Sequence, residues 1–309
     1  MPGMQKTREF LAASGLPATD GARLGSSELR FPDGTIYRVE IPSVEGPEAF
    51  EAVLDEAEQR EVRVDRISQG SGIMLQTDNE IRQMVDIGAE NAVEVCLFVG
   101  PRGAWDVGSQ ARSTSGAVAQ AVLRGTEQLV FGLEDVVRGC ELGLRSVLVA
   151  DIGQLWVLGM MKESGHLPSD LTLKTSIGLP AANPATAHVL ESLGATSINL
   201  PVDLSIHQIS AIREAVKVPL DIYIEGADDF SAPVRYYEIP EIVRCAAPVY
   251  LKFTVRNAPA LYPAGGHLRD QVIATARERV RRAAIGLALL NRYNARASND
   301  SDPSSMLNL

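Results

Sequence analysis

The stretch PVYLKFTVRN, residues 248–257, alternates between apolar and polar residues as a β-strand with one apolar face does. The apolar face carries Val249, Leu251, Phe253 and Val255. The opposite face carries Tyr250, Lys252, Thr254 and Arg256. Whether that polar face meets water or a protein interior depends on the fold that the rest of the chain adopts around it.

Seven further β-rich segments precede this stretch, and segments with helical periodicity separate them. The predicted strands cover residues 37–44, 61–68, 92–99, 146–153, 171–178, 196–203, 220–227 and 249–256. Strands that alternate with helices pair in parallel through right-handed crossovers. Eight such units in about 250 residues predict a (β/α)₈ TIM barrel. The main alternative, an open doubly wound sheet, is disfavoured because VEGPEAF, without a G-x-G-x-x-G pattern, follows the first strand.

The two ends of the chain are predicted to be accessories of the barrel. Residues 1–36 are expected to hold a short helix over 4–14 and a hairpin around Pro32-Asp33-Gly34 that caps the bottom of the barrel. The barrel itself is predicted to span residues 37–293. The remainder, 294–309, is rich in Ser, Asp and Asn and is predicted to be a disordered tail.

Composition excludes several classes of protein. The 309 residues are 45% apolar, which is enough for a large core, and 29 basic against 39 acidic residues give a net charge of −10. An acidic chain argues against nucleic-acid binding, which needs a basic face. The sequence has no signal-peptide pattern and no apolar run of membrane-spanning length, so we expect a cytoplasmic protein without membrane contacts. Its three cysteines are too scattered for a disulfide framework or a cysteine-rich metal site.

The barrel prediction gives the polar faces of the strands a direction. The apolar face of each strand must pack on helices, so the polar residues between those positions point to the axis. The inward residues are then Glu40, Glu94, Asp151, Lys174, Asn199, Glu225, Lys252 and Arg256. Buried charges are costly unless paired, so the interior is an ion-pair network, a wet cavity or both. For a single residue a buried ion pair is as good an interpretation as a functional role, whereas the whole cluster favours a functional cavity.

These residues supply candidates for a site at the C-terminal ends of the strands. The catalytic candidates are Lys252, Lys174, Glu225 and Asp151. The substrate-binding candidates are Arg256, Asn257, Arg102, Asn199, Gln69 and Glu45. A desolvated lysine beside another cation can form a Schiff base, a carboxylate can serve as acid or base, and arginines bind anionic groups.

No cofactor is indicated with certainty by the sequence. The four histidines form no HExxH or other metal spacing, and neither a Walker loop nor a G-x-S-x-G elbow is present. Mg²⁺ or Mn²⁺ bound by Glu45, Asp151 or Glu225 stays an open alternative.

Residues 193–213, LGATSINLPVDLSIHQISAIR, resemble peptidase family U32 in the order of their features. A helix end with glycine leads to a strand and an LS-x-x-x-I-x-x-I helix start, and a strand like PLDIYIEGA follows. The resemblance implies a TIM-like barrel in a family of peptidases, some of whose members are iron–sulfur proteins that assist hydroxylation of RNA or quinones. The family has a cysteine-containing segment where this chain has residues 227–231, ADDFS, so the resemblance does not extend to an iron–sulfur role.

Three functions remain open at this point. The first is an enzyme that acts on a small polar, anionic metabolite by lyase- or aldolase-like or hydrolytic chemistry, with interior lysines and carboxylates. The second is a U32-like peptidase or hydrolase, and the third is a non-catalytic ligand-binding barrel that serves as a subunit. The apolar stretch Ala283–Leu290 in the last predicted helix is a candidate interface for a homo-oligomer.

Overall fold

Eight parallel strands close into a barrel in which each strand pairs with its neighbours in sequence and the last pairs with the first. The computed structural model describes residues 5–20, 24–103, 121–227 and 233–299. The strands are β1 Tyr37–Pro42, β2 Arg66–Gln69, β3 Glu94–Phe98, β4 Ser146–Val149, β5 Thr172–Thr175, β6 Ser197–Asn199, β7 Leu220–Glu225 and β8 Val249–Phe253. The predicted TIM barrel is confirmed.

Helices follow the strands on the outside of the barrel, and one precedes them. They are α1 Gln5–Ala13, α2 Pro47–Gln59, α3 Asp78–Asn91, α4 Gly125–Glu141, α5 Ile152–Glu163, α6 Pro184–Ser192, α7 Ile206–Ala215, α8 Ile239–Ala246 and α9 Arg269–Asn299. Short 3₁₀ turns lie at Ile73–Leu75, Tyr236–Glu238 and Gly266–Leu268. None of the helices that the structure describes is long and apolar enough to cross a lipid bilayer.

The helices begin where the sequence supplies caps. Thr77 and Glu80 form a capping box at the start of α3: Thr77 Oγ1 accepts the Glu80 amide at 3.3 Å, and the Glu80 carboxylate accepts the Thr77 amide at 2.7 Å. Ser205 and Gln208 form a second box before α7. Each box satisfies backbone donors that the first helical turn leaves without partners, which is worth about 1 kcal/mol.

The apolar core lies between the strands and the helices. Ile41, Leu173 and Leu251 are completely buried on the outward faces of their strands, and Phe50 of α2 and Leu155 of α5 are buried against the sheet. Burying a side chain of this size stabilises the fold by about 1.5–3 kcal/mol. Because this face of the sheet faces the helices, the polar rows of the strands point to the axis.

The segment before the barrel closes its lower end. Phe31 N donates to Thr35 O at 2.9 Å across the predicted Pro-Asp-Gly turn, and Gly34 adopts φ of 85° there. Residues 24–30 form no strand, so the predicted hairpin is reduced to its turn. Phe31 is buried and its ring meets Tyr250 of β8 edge-on at 5.2 Å between centroids. A turn that buries one aromatic side chain therefore covers the N-terminal ends of the strands.

The last helix differs from the prediction in two respects. It continues past Tyr293 to Asn299, while residues 300–309 of the predicted tail lie outside the described residues. Ala283 and Leu290 are buried against the barrel, so the stretch proposed as a subunit interface mostly belongs to the core. Ile285, at 36%, and Ala288 are the members of this stretch that stay exposed.

Candidate functional site

Glu40 of β1 lies at the centre of a buried ion network on the barrel axis. It forms an ion pair with Lys174 Nζ, and it is 3.3 Å from both Lys252 Nζ and Arg66 Nη1. The hydroxyl of Ser68 donates at 2.7 Å to Glu40 Oε1, the oxygen that also faces Lys252. Parallel register sets Glu40 level with Arg66 of β2 on one side and with Lys252 of β8 on the other, and Lys174 reaches it from β5.

Two more carboxylates complete the network. Asp221 of β7 accepts from Arg66 Nη1 at 2.8 Å and lies 3.2 Å from Lys174 Nζ. Glu94 of β3 is 2.9 Å from Arg66 Nε, and the Arg66 guanidinium stacks on Tyr250, 3.5 Å from the ring centroid. Three cations thus face three carboxylates, so the formal charges of the network balance.

The ionisation of this network opposes the predicted Schiff-base chemistry. Burial lowers the pKa of Lys252, but Glu40, Tyr223 and Asp221 outweigh it and hold that pKa well above its usual value. A lysine that attacks a carbonyl must lose its proton near neutral pH, which a raised pKa prevents. Lys174 and Lys252 are also almost completely buried. Their contacts support the ion-pair interpretation, and their catalytic roles stay predictions.

Asn199 belongs to the same network. Its amide oxygen accepts from Lys252 Nζ at 3.1 Å, and its amide nitrogen donates to the Asp221 carbonyl oxygen at 3.3 Å. Lys252 Nζ also lies 4.2 Å from the centroid of the Tyr223 ring. Tyr223 packs with Val202 and Ile177, which follow β6 and β5. This small apolar cluster therefore separates the ion network from the C-terminal mouth of the barrel.

Glu225 does not join the axial network, contrary to the predicted inward orientation. The pairing of β7 with β8 shifts by one residue between Tyr223 and Glu225. Its carboxylate accepts the Tyr236 hydroxyl at 2.6 Å and the Arg256 amide at 3.1 Å, and Arg282 of α9 lies 3.8 Å away. Because a bulge reverses the alternation of faces, Glu225 contacts elements outside the barrel.

Asp151 is a helix cap rather than an inward strand residue. Strand β4 ends at Val149, and the Asp151 carboxylate accepts the Gln154 amide at 2.8 Å and the Leu123 amide at 3.0 Å. Glu45, Asp151 and Glu225 therefore each have separate partners and do not form a joint ligand set for Mg²⁺ or Mn²⁺. Within the described parts of the chain, no group of three His, Cys, Asp or Glu side chains is arranged to hold a metal ion.

The three cysteines are free thiols, as the sequence predicts. Cys96 and Cys245 are buried, and Cys140 is half-buried. Burial raises the pKa of each thiol to about 11. A thiol with so high a pKa is a poor nucleophile, because the thiolate is the reactive form.

A second polar cluster lies at the C-terminal mouth, where TIM barrels hold their active sites. Glu45, in the loop after β1, accepts the Gly70 amide at 2.7 Å and the Ser71 amide at 3.1 Å from the loop after β2. Arg102, in the loop after β3, donates to the Gly70 carbonyl, and its guanidinium lies 3.8 Å from the Phe98 ring centroid. Three consecutive loops are therefore joined around Gly70.

The loop after β8 and the last helix complete this mouth cluster, which we define as Glu45, Arg102, Tyr262 and Arg279. The Tyr262 hydroxyl bonds Ser43 Oγ, and Ser71 Oγ accepts the Ala264 amide at 2.8 Å. Arg279 of α9 donates from Nη1 to the Ser43 carbonyl at 3.1 Å. A side chain at Gly70 would overlap the Tyr262 ring, so glycine is needed there for close approach.

Burial perturbs the charged members of the mouth cluster. It raises the pKa of Glu45, even though the Gly70 and Ser71 amides and Arg279 oppose that effect. It lowers the pKa of both Arg102 and Arg279, although Tyr262 and Glu45 partly compensate. Among the described residues no carboxylate forms an ion pair with Arg279, and its buried Nε donates no hydrogen bond. The cluster therefore places two guanidiniums beside a carboxyl group whose pKa is raised.

The other predicted binding residues have different surroundings. The Gln69 side chain accepts the Gly72 amide at 2.9 Å and thereby shapes the loop after β2. Arg256 and Asn257 are exposed beyond the end of β8. The loop residues Trp105 and Asp106 after β3, and Asp228 and Asp229 after β7, lie outside the described residues. Of the predicted residues, only Glu45 and Arg102 lie together in the mouth cluster.

Three residues of these two clusters escaped the sequence analysis. Arg66 and Ser68 flank the buried Ile67, so the alternation of apolar and polar residues would have placed Arg66 on the axis if β2 had been predicted at residues 66–69 instead of 61–68. Arg279 lies in a buried helical row with Ala276 and Val280, where a charged residue signals a role. Tyr262 lies in a loop, where no periodicity predicts its contacts.

Comparison with known protein families agrees with the sequence resemblance. The family model described as peptidase family U32 matches residues 118–232. The chain resembles this family. The resemblance to family U32 thus extends from before α4 to beyond β7, which is a longer segment than the motif at 193–213 indicated. No curated protein matches the chain.

Solved structures similar to the chain include two aldolases and a U32 peptidase. The YdjI aldolase from Escherichia coli K12 is 16% identical over 79% of this chain and 88% of that one, with a TM-score of 0.47. A putative fructose-1,6-biphosphate aldolase from Coccidioides immitis is 14% identical over 82% and 92%, with a TM-score of 0.49. The U32 peptidase Mk0906 is 17% identical over 76% and 96%, with a TM-score of 0.42. Likenesses at this level carry no argument about the reaction.

Proposed function

We propose that the chain is an enzyme that binds a small anionic metabolite at the mouth cluster and catalyses lyase-like chemistry on it. The observation that carries this proposal is the pair of guanidiniums, Arg102 and Arg279, held with Glu45 and Tyr262 at the C-terminal ends of the strands. Catalytic residues of TIM barrels occupy this end.

An anionic ligand would satisfy what the protein leaves unsatisfied. Arg279 is 2% exposed and its Nε has no acceptor, which is costly for a buried donor. A carboxylate or phosphate presents two or more oxygens to a guanidinium and forms short, charge-assisted hydrogen bonds with it. Ligand binding would also restore the pKa of both arginines, which burial lowers in the free protein.

Glu45 is the group that we assign to proton transfer. Its raised pKa brings a carboxyl group closer to neutral pH, where a general acid or base works best. In the proposed step, Glu45 removes a proton from the carbon next to a carbonyl group of the bound anion, such as the methyl carbon of a 2-keto acid. The electron pair moves onto that carbonyl oxygen as an enolate, and Arg102 and Arg279 stabilise the added charge.

Peptidase-like hydrolysis is the second candidate because residues 118–232 match family U32. Every member of the mouth cluster lies outside that matched range, so the family match and the cluster are separate observations. Fold and family likeness alone do not fix a reaction.

Binding and exchange measurements test the proposal. We expect oxalate, pyruvate or inorganic phosphate to bind the wild-type chain in calorimetric titrations, and Arg102→Met and Arg279→Met each to weaken binding about 10- to 100-fold. The matched control is Arg38→Met, which removes an equal charge near the bottom of the barrel, where Arg38 pairs with Asp33. If the control weakens binding as much, or if none of these anions binds, the proposed site is wrong.

A second measurement separates catalysis from binding. The wild-type chain should exchange the methyl protons of pyruvate with solvent deuterium, as followed by NMR, and Glu45→Gln should abolish the exchange while binding persists. If the wild-type chain binds the anion but does not exchange its protons, the anion-binding site stands, the lyase assignment is wrong, and a non-catalytic barrel is the better interpretation. Cleavage of peptides by the wild type that persists in Glu45→Gln would support the hydrolase instead.

A further inference from the structure

The outer face of α5 carries a continuous apolar stripe. Ile152, Trp156 and Met160 are spaced by four residues, so they lie along one side of the helix. They are 50%, 52% and 41% exposed, whereas Leu155 and Leu158 on the other side are completely buried. A helix that is apolar on both sides is normally buried on both sides.

The neighbouring helices extend the stripe into a face. Gly159 of α5 packs directly on the end of α6 at Leu193 and Gly194, and Val189, one turn earlier on α6, is 46% exposed. On the other side, Gly132 of α4 packs on Gln154 of α5. The adjacent Phe131 is 57% exposed. We call these five side chains the α5 face: Ile152, Trp156, Met160, Val189 and Phe131.

The α5 stripe itself carries no charged residue, and the exposed Glu127 and Glu134 of α4 lie at the edge of the α5 face, one helical turn from Phe131. Lys162 and Glu163, in the last turn, are the charged residues of α5, and the Lys162 ammonium is bonded to the Leu171 carbonyl. Glu191 is the charged residue of α6, and it accepts the Lys217 amide at 2.7 Å. The chain as a whole carries a net charge of −10. Depletion of charge around exposed aromatic and Met side chains is typical of an interface core.

The area of this face matches what a stable interface needs. Side chains of this size bury on the order of 150–250 Å² each, so the exposed portions of the α5 face amount to roughly 400–500 Å² of apolar surface. That lies in the range of the largest apolar patch of a typical monomer, and such patches are often functional. It is also enough for the apolar core of an interface of about 800 Å² per partner.

We propose that the α5 face is the interface of a two-fold homodimer. In a two-fold interface the same patch meets its own copy, so a net charge on the patch would face the same net charge. The uncharged stripe of α5 is therefore a place on a chain with net charge −10 where a second copy can dock without that repulsion. A membrane surface fits less well, because interfacial helices carry a row of basic residues and α5 has Lys162 alone.

This proposal is independent of the proposed function and is tested by sedimentation. We expect the wild-type chain to sediment at twice 33.2 kDa. Trp156→Glu and Met160→Lys should each weaken the dimer at least about 30-fold, which is the effect of losing an interface hot spot. Thermal melts followed by circular dichroism check that both variants fold. If one variant does not fold, the other alone tests the proposal.

The control is Ile285→Glu on α9, because α9 follows β8 and α5 follows β4, on opposite sides of the closed barrel. It should leave the dimer intact.

A Trp105→Phe background leaves Trp156 as the one tryptophan, and its emission should shift to the blue as protein concentration rises. A monomeric wild type, a dimer unaffected by both α5 variants, or a dimer broken by Ile285→Glu alone would overturn the proposal.

Discussion

Replacing Lys252 with methionine tests whether the axial ion network stabilises the barrel. Methionine keeps the length and most of the apolar volume of lysine but removes the ammonium. That ammonium is 3.3 Å from Glu40 Oε1 and 3.1 Å from the Asn199 amide oxygen, and it is almost completely buried. Lys252→Met therefore leaves three carboxylates facing two cations inside the barrel.

The expected loss follows from that imbalance. At an effective dielectric constant of about 20, two unit charges at the distance between Lys252 and Glu40 attract each other by about 5 kcal/mol. Removing one partner of a buried pair costs about 3–5 kcal/mol, because the other charge stays buried without compensation. The same loss is expected for Glu40→Gln, which leaves three cations facing two carboxylates. The double variant restores the balance at two and two, so it should lose about 3–5 kcal/mol rather than the sum.

Urea unfolding followed by circular dichroism measures these free energies. The two single variants and the double variant form a thermodynamic cycle, and we expect a favourable coupling of about 3 kcal/mol between Lys252 and Glu40. Lys162→Met is the matched control, because the Lys162 ammonium bonds a carbonyl rather than a carboxylate. It should cost about 1 kcal/mol. Additive losses in the double variant, or a loss in Lys252→Met no larger than the control, would refute the reasoning.

Three further predictions concern pH, packing and capping. Burial alone would raise the pKa of Glu40, but Lys174, Lys252 and Arg66 outweigh it and hold that pKa well below its ordinary value of 4.5. The unfolded chain therefore takes up the proton first, and the free energy of unfolding should fall as pH drops below about 4.5; Glu40→Gln should reduce this fall in urea titrations at stepped pH. Gly88→Ala places a Cβ 2.7 Å from the Val93 carbonyl oxygen, so it should lower the free energy of unfolding, measured in urea, by about 1–3 kcal/mol. Gly70→Ala meets only the movable Tyr262 ring, so it should lower stability less, but it should weaken anion binding. Asp151→Ala removes the cap of α5 and should lower the free energy of unfolding by about 0.5–2 kcal/mol, whereas Asp151→Asn should stay close to wild type. If Asp151→Ala is as stable as wild type but loses proton exchange, Asp151 is catalytic, as the sequence predicted, rather than a cap.

Much of the barrel could be predicted because its strands obey one rule. In a closed parallel barrel, successive residues alternate between helices and axis, and this rule placed Glu40, Lys174, Asn199 and Lys252 correctly on the inside. It also explains the face of PVYLKFTVRN: Lys252 points to the axis because Leu251 and Phe253 pack on the helices.

The rule failed where the local backbone departs from a regular strand. The shifted pairing after Tyr223 turned Glu225 away from the axis, and no residue in LDIYIEGA signals it. Asp151 follows the last residue of β4 by two positions and caps a helix instead. A strand boundary in error by several residues therefore changes which side a residue faces.

The mouth cluster was harder to predict for a different reason. Its members come from the loops after three strands and from a helix far along the chain, and Arg279 reaches Ser43 across most of the sequence. Periodicity describes one element at a time and does not report how loops meet. The sequence supplied Glu45 and Arg102 as separate candidates, and only the tertiary structure brought them together with Tyr262 and Arg279.

The central claim is that the mouth cluster binds an anion, and a crystal structure of the chain grown with oxalate tests it most directly. Oxalate density in contact with the guanidiniums of Arg102 and Arg279, within hydrogen-bond reach of the buried Arg279 Nε, is the predicted result. The groove lined by Asp55, Arg63 and Asn91, with a volume of about 540 Å³, contains no member of the mouth cluster and provides the comparison within the same crystal. Oxalate in that groove or on the axial lysines, with none between Arg102 and Arg279, would contradict the account.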